Sequence, residues 1–524
     1  MRQIINIFFS IAAPLLSGAL MFFAFPDYHQ AVLAWVALVP VMLAIAGKKP
    51  AVAFLLSLVC GICFFLGLFN WILVVSKYSW LHHTLLALYL GSYIGIFGLA
   101  FAIISRRINT TAAFFAAPFI WIALEFARSN MSFIALPWGL LAHSQYQTPL
   151  VIQIASLAGV YSVSFLMVAM NCAVAACVYA LQSYRDKKIA WTKGRLALIS
   201  GTATLFLFAL FYGNLLSSKP FSGERLKLAL VQGNINQSQK WDPMYAGVIM
   251  RTYAESSLEV SKHKPDLIVW PETATPRAIS MDPGVYREVK RIVNLTGTNL
   301  LLGSSQPQKF KKPGHKNFKY YNSAFLITPG TPKSKPQRYD KIRLFPFGEY
   351  LPYRNSIPWA SISVPDVSSY VAGKEFKLFE LPPHRFGVTI CWENMFPDLF
   401  RQFVKNGAQF MVNLTNEAWF GKTEAPDQFL SMSVFRAVEN RVFVVRCTNT
   451  GISCFIDPNG RVYGRVEDSN GEDTFIRGFK IASIVPQNSK TFYTRYGDWL
   501  VWLSLAISLG VIGLAMARKT PQSV

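Results

Sequence analysis

Long apolar runs fill the first 215 or so residues of the chain and return once near its end. A membrane-spanning helix needs about 20 consecutive apolar residues, and eight segments approach or exceed that length. They lie at 6–25, 30–47, 51–75, 84–104, 111–127, 155–181, 196–216 and 498–517. The pattern therefore predicts a membrane α-helical bundle of about eight transmembrane helices.

Between the seventh and eighth runs, residues 220–495 have the mixed composition of an ordinary globular domain. Strands are predicted at 226–233, 266–271, 299–303, 322–328, 386–391, 409–414 and 442–447, and helices at 243–262, 283–294 and 395–406. Alternation of this kind favours a layered α/β domain. The predicted organisation is a seven-span bundle at 1–219, the α/β domain at 220–495, and an eighth helix with a tail at 496–524.

Lysines and arginines in the short loops predict the orientation of the chain, because cytoplasmic loops carry an excess of them. Alternate loops contain Arg2, Lys48, Lys49, Arg106, Arg107, the group Arg185, Lys187, Lys188, Lys193 and Arg195, and then Arg518 and Lys519. The opposite loops contain only Lys77 and Arg128. We therefore expect both termini in the cytoplasm and the α/β domain on the outer side of the membrane.

The amino-acid composition further limits the classes of function that fit the chain. Hydrophobic residues make up 52% of the chain, which is too many for an ordinary soluble protein. The net charge of +23 suits a face held against anionic lipid headgroups, whereas nucleic acid is not expected as a partner of an outward-facing domain. Metal-ligand spacing of histidines and glycine-rich phosphate loops are both missing from the sequence, so no metal or cofactor is expected.

Seven cysteines occur in the sequence, and one of them stands in an informative position. Cys391 follows a predicted buried strand and precedes a predicted helix, where helix-start N–H groups favour a thiolate. Cys447 and Cys454 flank a turn, and an oxidising compartment permits a disulfide between them. Two adjacent core strands explain that pair equally well.

Two further stretches place reactive side chains at strand ends. Glu272 follows the apolar strand that ends in Trp270 and Pro271, and the stretch RYDKIRLFPFGEYLP contains Lys341 and Glu349. Each has an ordinary structural interpretation when taken alone. Together with Cys391 they form a consistent set for acyl transfer, in which a thiol attacks a carbonyl, a carboxylate takes its proton and an ammonium stabilises the oxyanion.

Several stretches resemble known families. Trp270–Glu272, Tyr339–Lys341 and Ile390–Glu393 occur in the order typical of the nitrilase, or carbon–nitrogen hydrolase, superfamily, whose catalytic set is Glu–Lys–Cys. The eight spans, together with the stretches Leu344–Pro352, Asn413–Gly421 and Arg436–Ser453, extend this likeness over essentially the whole chain. As a whole the chain resembles the bacterial apolipoprotein N-acyltransferase family.

This resemblance implies an αββα sandwich for the outer domain and assigns roles to its residues. Glu272 is implied as general base, Lys341 as the oxyanion-stabilising residue and Cys391 as nucleophile, with Glu349 in support. Three tryptophans are implied as substrate-binding residues near the acyl donor: Trp241, Trp392 and Trp419.

The resemblance also implies a reaction and its partners. An acyl chain passes from a phosphatidylethanolamine-like phospholipid to Cys391 as a thioester, and then to the α-amino group of a diacylglyceryl-modified apolipoprotein. The protein is expected in the bacterial inner membrane as a multi-pass monomer, with its catalytic domain facing the periplasm and membrane lipids around it.

Two other functions fit parts of the pattern. A membrane-tethered amidase or nitrilase acting on a small nitrogen compound shares the triad but needs only one anchor, and it shows no phospholipid dependence. A transporter with an outer domain needs polar residues along an ion path, and Glu125 at the end of one span makes a thin relay.

We predict that reporter fusions after Leu216 and Lys490 give an extracytoplasmic signal and that fusions after Arg195 and Arg518 give a cytoplasmic one. The positive loops then all lie on the cytoplasmic side. Paired enzymatic and fluorescent reporters at each site measure this directly. A cytoplasmic signal at Lys490 contradicts the orientation and, with it, access to lipoproteins of the outer leaflet.

Overall fold

The computed structural model describes residues 2–26, 28–185, 191–308, 319–330, 336–353, 356–357 and 370–518, without the side chains of residues 2–10 and 182–185. The chain forms two compact units. One comprises Met1–Lys219 together with Tyr496–Val524, and the other comprises Pro220–Arg495.

The first unit is helical. Its helices in chain order are α1 (Arg2–Phe23), α2 (Val39–Ile45), α3 (Pro50–Leu68), α4 (Trp80–Arg107), α5 (Thr110–Asn130), α6 (Pro149–Ile152), α7 (Ala155–Ala158), α8 (Val160–Arg185) and α9 (Lys193–Ser217), and a C-terminal helix spans Trp499–Ala517. Within the described residues, six of these are long and apolar enough to cross a membrane: α3, α4, α5, α8, α9 and the C-terminal helix. They correspond to six of the eight predicted spans, so the unit is a membrane helical bundle.

Of the remaining two predicted spans, one is a single helix and the other is not. The segment 6–25 lies almost entirely in the continuous helix α1, whose side chains are described from Ile11 onward. The segment 30–47 is divided into a 3₁₀ helix, Ala31–Trp35, and the short α2. Because proline suits only the first turn of a helix, the helix restarts at Val39 with Pro40 in that turn.

Asn171 of α8 satisfies the backbone groups freed by this break. Its Oδ1 accepts a hydrogen bond from the Leu38 amide at 2.8 Å, and its Nδ2 donates to the Ala34 carbonyl at 2.9 Å. Backbone groups at membrane depth need such partners since the lipid offers none. The polar side chain therefore has a structural role in the bundle.

Glu125 and Arg128 of α5 have a similar role. The Arg128 guanidinium donates to the carbonyls of Leu136 and Trp138 at 2.9 and 2.6 Å, and a Glu125 carboxylate oxygen accepts from the Leu141 amide at 2.8 Å. Both side chains are buried against an irregular segment. These contacts support a structural role for Glu125 and give no evidence of an ion path.

The second unit contains two six-stranded sheets. Its strands are β1 (Leu226–Gln232), β2 (Leu267–Val269), β3 (Asn299–Pro307), β4 (Tyr320–Ile327), β5 (Gln337–Asp340), β6 (Leu378–Leu381), β7 (His384–Ile390), β8 (Phe410–Thr415), β9 (Phe443–Thr448), β10 (Cys454–Ile456), β11 (Val462–Tyr463) and β12 (Gly478–Ile484). Their orders are β12-β1-β2-β3-β4-β5 and β11-β10-β9-β8-β7-β6. The helices are α10 (Ala246–Ser261), α11 (Pro283–Thr296), α12 (Pro397–Lys405), α13 (Ala425–Asn440) and α14 (Phe492–Tyr496).

The two sheets pack face to face. The Cys447 thiol of β9 lies 3.6 and 3.3 Å from the carbonyls of Val231 on β1 and Val269 on β2. Helices α10 and α11 bury apolar side chains such as Tyr253 and Ile292 against the first sheet, and α12 and α13 pack beside the second. This is the predicted αββα sandwich. Cys447 and Cys454 are both free thiols of its core, so adjacent core strands account for them.

Strand direction brings the candidate residues to one edge. Strands β1, β2 and β3 are parallel, as are β7, β8 and β9. Strand β5 runs antiparallel to β4, which runs antiparallel to β3, so the carboxyl end of β5 lies beside that of β3. Residues that follow β2 and β5 therefore lie at the same edge of the first sheet. Cys391, after β7 of the second sheet, interacts electrostatically with Glu272 and Lys341, so it lies at this edge as well.

Five strands and one long helix were missing from the sequence prediction. The strands are β5, β6, β10, β11 and β12, and the helix is α13. Strand β12 pairs along its whole length with β1, about 250 residues away, with Leu226 opposite Ile484. Its residues are half exposed and mixed in polarity, so the strand depends on this distant partner rather than on a local apolar pattern.

The chain backbone approaches itself closely at Gly303 of β3. A Cβ atom there would lie 2.5 Å from the Thr273 nitrogen and 2.7 Å from the Glu272 Cα. We predict that Gly303→Ala destabilises the protein by about 1–3 kcal/mol, because the backbone carrying Glu272 must move. Thermal unfolding of the full chain in detergent measures the effect.

Gly247→Ala is the matched control, since Gly247 lies in α10 with open space around it. Alanine favours a helix by about 1 kcal/mol, so this variant should be as stable as the parent or slightly more stable. Equal melting temperatures for the two alanine variants would refute the close approach at Gly303.

Candidate active site

Glu272 lies in the turn after β2 and is buried, with 7% of its surface exposed. The turn is held to β3 by hydrogen bonds from Trp270 N to Leu301 O at 2.8 Å and from Ala274 N to Gly303 O at 2.8 Å. Thr273 has a φ of +44°, so the chain turns sharply just after the carboxylate. The sheet edge thereby holds Glu272 in a fixed position.

Lys341 follows β5 and is 1% exposed. Its Nζ lies 2.9–3.0 Å from the carboxylate oxygens of Glu349 and 3.8 Å from Oε1 of Glu272. Burial by itself lowers the pKa of Lys341, but the negative charges of Glu349, Cys391 and Glu272 outweigh it and raise the pKa overall. The lysine is therefore a buried, permanently charged ammonium.

Glu349 connects Lys341 to the segment that follows it. One carboxylate oxygen accepts from Lys341 Nζ, and the other accepts from the backbone amide of Phe345 at 2.7 Å. Glu349 thus fixes the position of the ammonium and the course of the loop at once. A supporting role for Glu349 in catalysis stays a prediction.

Asn322 of β4 joins the two carboxylates, and the sequence analysis missed it. Its Nδ2 donates to Oε1 of Glu272 at 2.7 Å and to Oε1 of Glu349 at 2.9 Å. The main-chain carbonyl oxygen of Asn322 accepts a hydrogen bond from the backbone amide of Lys341 at 2.8 Å. The signal for it in the sequence was an asparagine within an apolar strand. Its hydrogen-bond partners Glu349 and Glu272 lie 27 and 50 residues away, so the local sequence does not reveal them.

Cys391 stands at the carboxyl end of β7, partly buried, with a φ of +54°. A positive φ at a residue other than glycine costs on the order of 1–3 kcal/mol and is common at functional sites. Burial raises the pKa of its thiol to about 12, and Glu272 adds to this effect while Lys341 opposes it. The expected thiolate-favouring helix start is replaced by a short 3₁₀ turn, Cys391–Met395, and the α-helix begins only at Pro397.

Cys391 therefore rests as a thiol, and a reaction at its sulfur needs a base. Glu272 and Lys341 both act electrostatically on Cys391, which places all three predicted triad residues in one site. Since a thiol with a pKa near 12 is almost fully protonated at neutral pH, attack on a carbonyl must be accompanied by proton removal. A buried carboxylate at this position suits that task.

Glu393, two residues after Cys391, is the second residue that the sequence analysis missed as a site member. It is fully buried and accepts hydrogen bonds from the amides of Ile390, Ile342 and Arg343 at 2.8, 2.7 and 3.0 Å, and from the Tyr339 hydroxyl at 2.9 Å. Burial raises its pKa to about 7, although these hydrogen bonds favour the charged form. One side chain therefore ties the loop of Lys341 to the turn of Cys391.

The three predicted substrate-binding tryptophans lie in different environments. Trp392 is buried: its Nε1 donates to the Arg343 carbonyl at 2.6 Å, and its ring packs edge-on against Phe345 and Phe396. Trp241 and Trp419 are 49% and 55% exposed. The contacts of Trp392 are thus those of a packing residue, and the other two present apolar surface to the surroundings.

Lys240 is the third residue that the sequence analysis missed. It precedes Trp241, is 3% exposed, and its Nζ donates to the main-chain carbonyl of Glu272 at 3.1 Å. Burial lowers its pKa to about 8, while Glu272 and Cys391 act in the opposite direction. Nothing in the local sequence distinguishes it from an exposed lysine.

Comparisons with known protein families agree with this description of the fold. A model of the carbon–nitrogen hydrolase family matches residues 227–486, and a model of the apolipoprotein N-acyltransferase N-terminal domain matches residues 17–173. The class of protein is therefore a carbon–nitrogen hydrolase domain joined to a membrane helical bundle.

Relatives match along nearly the whole chain. The apolipoprotein N-acyltransferase of Geobacter metallireducens is 34% identical over 515 residues, covering 96% of this chain and 95% of the relative. That of Chlorobaculum tepidum is 30% identical, covering 97% and 96%. The chain belongs to the apolipoprotein N-acyltransferase family.

Solved structures add one further comparison. Nit3 of Saccharomyces cerevisiae, a member of branch 10 of the nitrilase superfamily, is 19% identical, with a TM-score of 0.38. The match covers 53% of this chain and 97% of that protein.

We predict that Glu393→Ala lowers both stability and the reactivity of Cys391. The change leaves three buried amides and a hydroxyl without their acceptor, and each such loss costs about 1–3 kcal/mol. Thermal unfolding measures the stability, and alkylation of the Cys391 peptide by iodoacetamide, followed by mass spectrometry, measures the reactivity.

Glu380→Ala serves as the control, because Glu380 is exposed and its carboxylate lies 3.9 Å from Arg385. An exposed pair of this kind contributes little to stability, so the melting temperature should change little. Similar losses in the two variants would contradict the central position given to Glu393.

Proposed function

We propose that this protein transfers an acyl chain from a membrane phospholipid to the α-amino group of a diacylglyceryl-modified apolipoprotein. The observation that carries the proposal is the buried group of Glu272, Lys341 and Cys391 in a chain related over its full length to apolipoprotein N-acyltransferases. In this proposal Glu272 is the general base, Lys341 the oxyanion-stabilising residue and Cys391 the nucleophile.

The first half-reaction forms a thioester. The Cys391 sulfur attacks the acyl carbonyl of the phospholipid while Glu272 takes the thiol proton. The Lys341 ammonium stabilises the oxyanion of the tetrahedral intermediate. As the intermediate collapses, the ester C–O bond breaks and the proton passes from Glu272 to the leaving oxygen, which releases lysophospholipid.

The second half-reaction uses the same groups. The neutral α-amino group of the acceptor attacks the thioester carbonyl, a C–N bond forms and the C–S bond breaks. Glu272 takes a proton from the nitrogen and returns it to the Cys391 sulfur. Because the free thiol has a high pKa, this proton return restores the resting enzyme.

Glu349 and Asn322 support the chemistry without taking part in bond changes. Glu349 fixes the Lys341 ammonium, and the Asn322 amide holds both carboxylates in place. The exposed rings of Trp241 and Trp419 are proposed to contact the acyl chains of the substrates. The buried Trp392 is proposed to act indirectly, by shaping the wall of the pocket.

The proposal includes location and assembly. The membrane bundle keeps the enzyme among lipid substrates, and the loop charges favour the bacterial inner membrane with the catalytic domain in the periplasm. A phosphatidylethanolamine-like donor is proposed as the acyl source. We propose that the enzyme works as a monomer.

We predict that the purified chain, incubated with phosphatidylethanolamine alone, gains one acyl mass on the Cys391 peptide. Glu272→Gln and Lys341→Ala should slow this step by about 10²–10³, the usual effect of losing one group that stabilises an acyl-transfer transition state. Mass spectrometry of the digested protein gives the rates, and adding a diacylglyceryl-cysteine peptide should discharge the adduct as an amide.

Cys391→Ser should be stable and form no adduct that passes to an amine, whereas Cys447→Ser should be acylated like the parent. The two positions differ in that the Cys447 thiol faces the carbonyls of Val231 and Val269 inside the core. Acylation at Cys447, or amide hydrolysis independent of phospholipid, would overturn the proposal in favour of a tethered amidase.

A further inference from the structure

A second buried cation lies at the active site, in addition to Lys341. Lys240 has 3% of its surface exposed, and its Nζ donates a hydrogen bond to the carbonyl oxygen of Glu272 at 3.1 Å. Lysine is almost never fully buried unless it is paired or has a function. The reactive groups Glu272 and Cys391, in their ionised forms, raise its pKa against the effect of burial.

The loop that carries Lys240 is built into the sandwich. Asn449, after β9, accepts from the amides of Asn234 and Ile235 through its carbonyl and its side chain, both at 2.9 Å, and it donates back to the Ile235 carbonyl at 2.8 Å. Asn416, after β8, donates to the Gln237 side chain at 2.8 Å. Residues at the ends of β8 and β9 therefore hold this loop beside the turn after β2.

The local turn then directs the ammonium inward. The amides of Gln239 and Lys240 both donate to the Asn236 carbonyl at 3.1 Å, which closes a tight turn just before Trp241. The exposed Trp241 ring and the buried Lys240 ammonium thus lie on successive residues. A lysine on the solvated surface does not need hydrogen bonds that fix its loop in this way.

The charges of the site provide a reason for it. Two carboxylates, Glu272 and Glu349, lie against the single ammonium of Lys341, and acyl transfer adds a developing negative charge at Cys391 or at the oxyanion. Burying unbalanced negative charge is costly, because the interior screens it poorly. A second ammonium restores the balance without contacting the bonds that change.

We propose that Lys240 is a positioning residue that fixes the main chain of Glu272 and supplies the positive charge needed for rapid acylation of Cys391. This inference rests on the proposed function for its acyl donor. The role of Lys240 toward the Cys391 thiol is independent of the donor.

The pH dependence follows from the charge of Lys240. Burial lowers the pKa of Lys240 to about 8, so the ammonium is present below pH 8 and is lost as the pH rises through that value. Glu272 and Cys391 are the groups whose ionisation raises the pKa of Lys240 against this effect. The rate of thioester formation should therefore decrease above about pH 8, although a thiol reacting alone becomes more reactive as the pH rises.

The test uses the full chain in detergent with three variants: Lys240→Met, Lys240→Arg and the control Lys262→Met. Lys262 lies on the surface and pairs with the exposed Glu259. Two rates are measured from pH 6 to 10 by mass spectrometry of the Cys391 peptide. One is acylation by phosphatidylethanolamine micelles, and the other is alkylation by iodoacetamide.

We expect Lys240→Met to slow alkylation at neutral pH about tenfold. A nearby positive charge typically lowers a pKa by one unit or more, and a thiol reacts in proportion to its ionised fraction. The rate of acylation by phospholipid should be lower by at least the same factor, and it should no longer decrease above pH 8. Lys240→Arg should keep much of the rate and extend it to higher pH, because arginine stays charged. Lys262→Met should match the parent.

Three outcomes separate the possibilities. Parent-like rates and pH profiles in Lys240→Met overturn the inference. Equal losses in the Met and Arg variants with unshifted pH profiles also overturn it, since they indicate packing rather than charge. An alkylation profile shifted as expected, in a parent protein that phospholipid does not acylate, supports the role of Lys240 and counts against the proposed function instead.

Discussion

The ion pair between Lys341 and Glu349, with Glu272 close by, is the interaction on which the rest of the site depends. A buried ammonium is costly unless carboxylates and hydrogen bonds surround it, and removing one partner of such a group typically costs 3–5 kcal/mol. The ends of β2 and β5 and the loop after β5 must therefore meet for the domain to be stable. The contacts that stabilise the domain also keep Lys341 charged, as the oxyanion-stabilising role proposed for it requires.

The same arrangement explains why the nucleophile rests as a thiol. Burial and the neighbouring carboxylate raise the pKa of Cys391 to about 12, and Lys341 only partly opposes them. A protonated thiol is a weak nucleophile, so in the proposed reaction Glu272 must take the proton as the sulfur attacks the acyl group. The two ammonium groups differ in their contacts. That of Lys341 contacts the carboxylates, whereas that of Lys240 donates to the main chain of Glu272.

Buried polar groups follow one rule in both units. In the helical unit, Asn171 pairs with the backbone groups of Ala34 and Leu38, and Arg128 pairs with the carbonyls of an irregular segment. In the α/β unit, Glu393 pairs with three amides and a hydroxyl from two loops. In each case a side chain supplies the hydrogen-bond partner that water would otherwise provide for the backbone.

The sequence by itself determined the alternation of strands and helices, six of the spanning helices and the three stretches that carry Glu272, Lys341 and Cys391. Hydrophobic periodicity and motif spacing are local properties, so they can be read along the chain. Only the tertiary structure revealed Asn322, Glu393 and Lys240 as parts of the site, because their partners lie on other strands. It also decided the raised pKa of Cys391, the division of the second predicted span and the pairing of β12 with β1, since burial and long-range contacts have no local pattern.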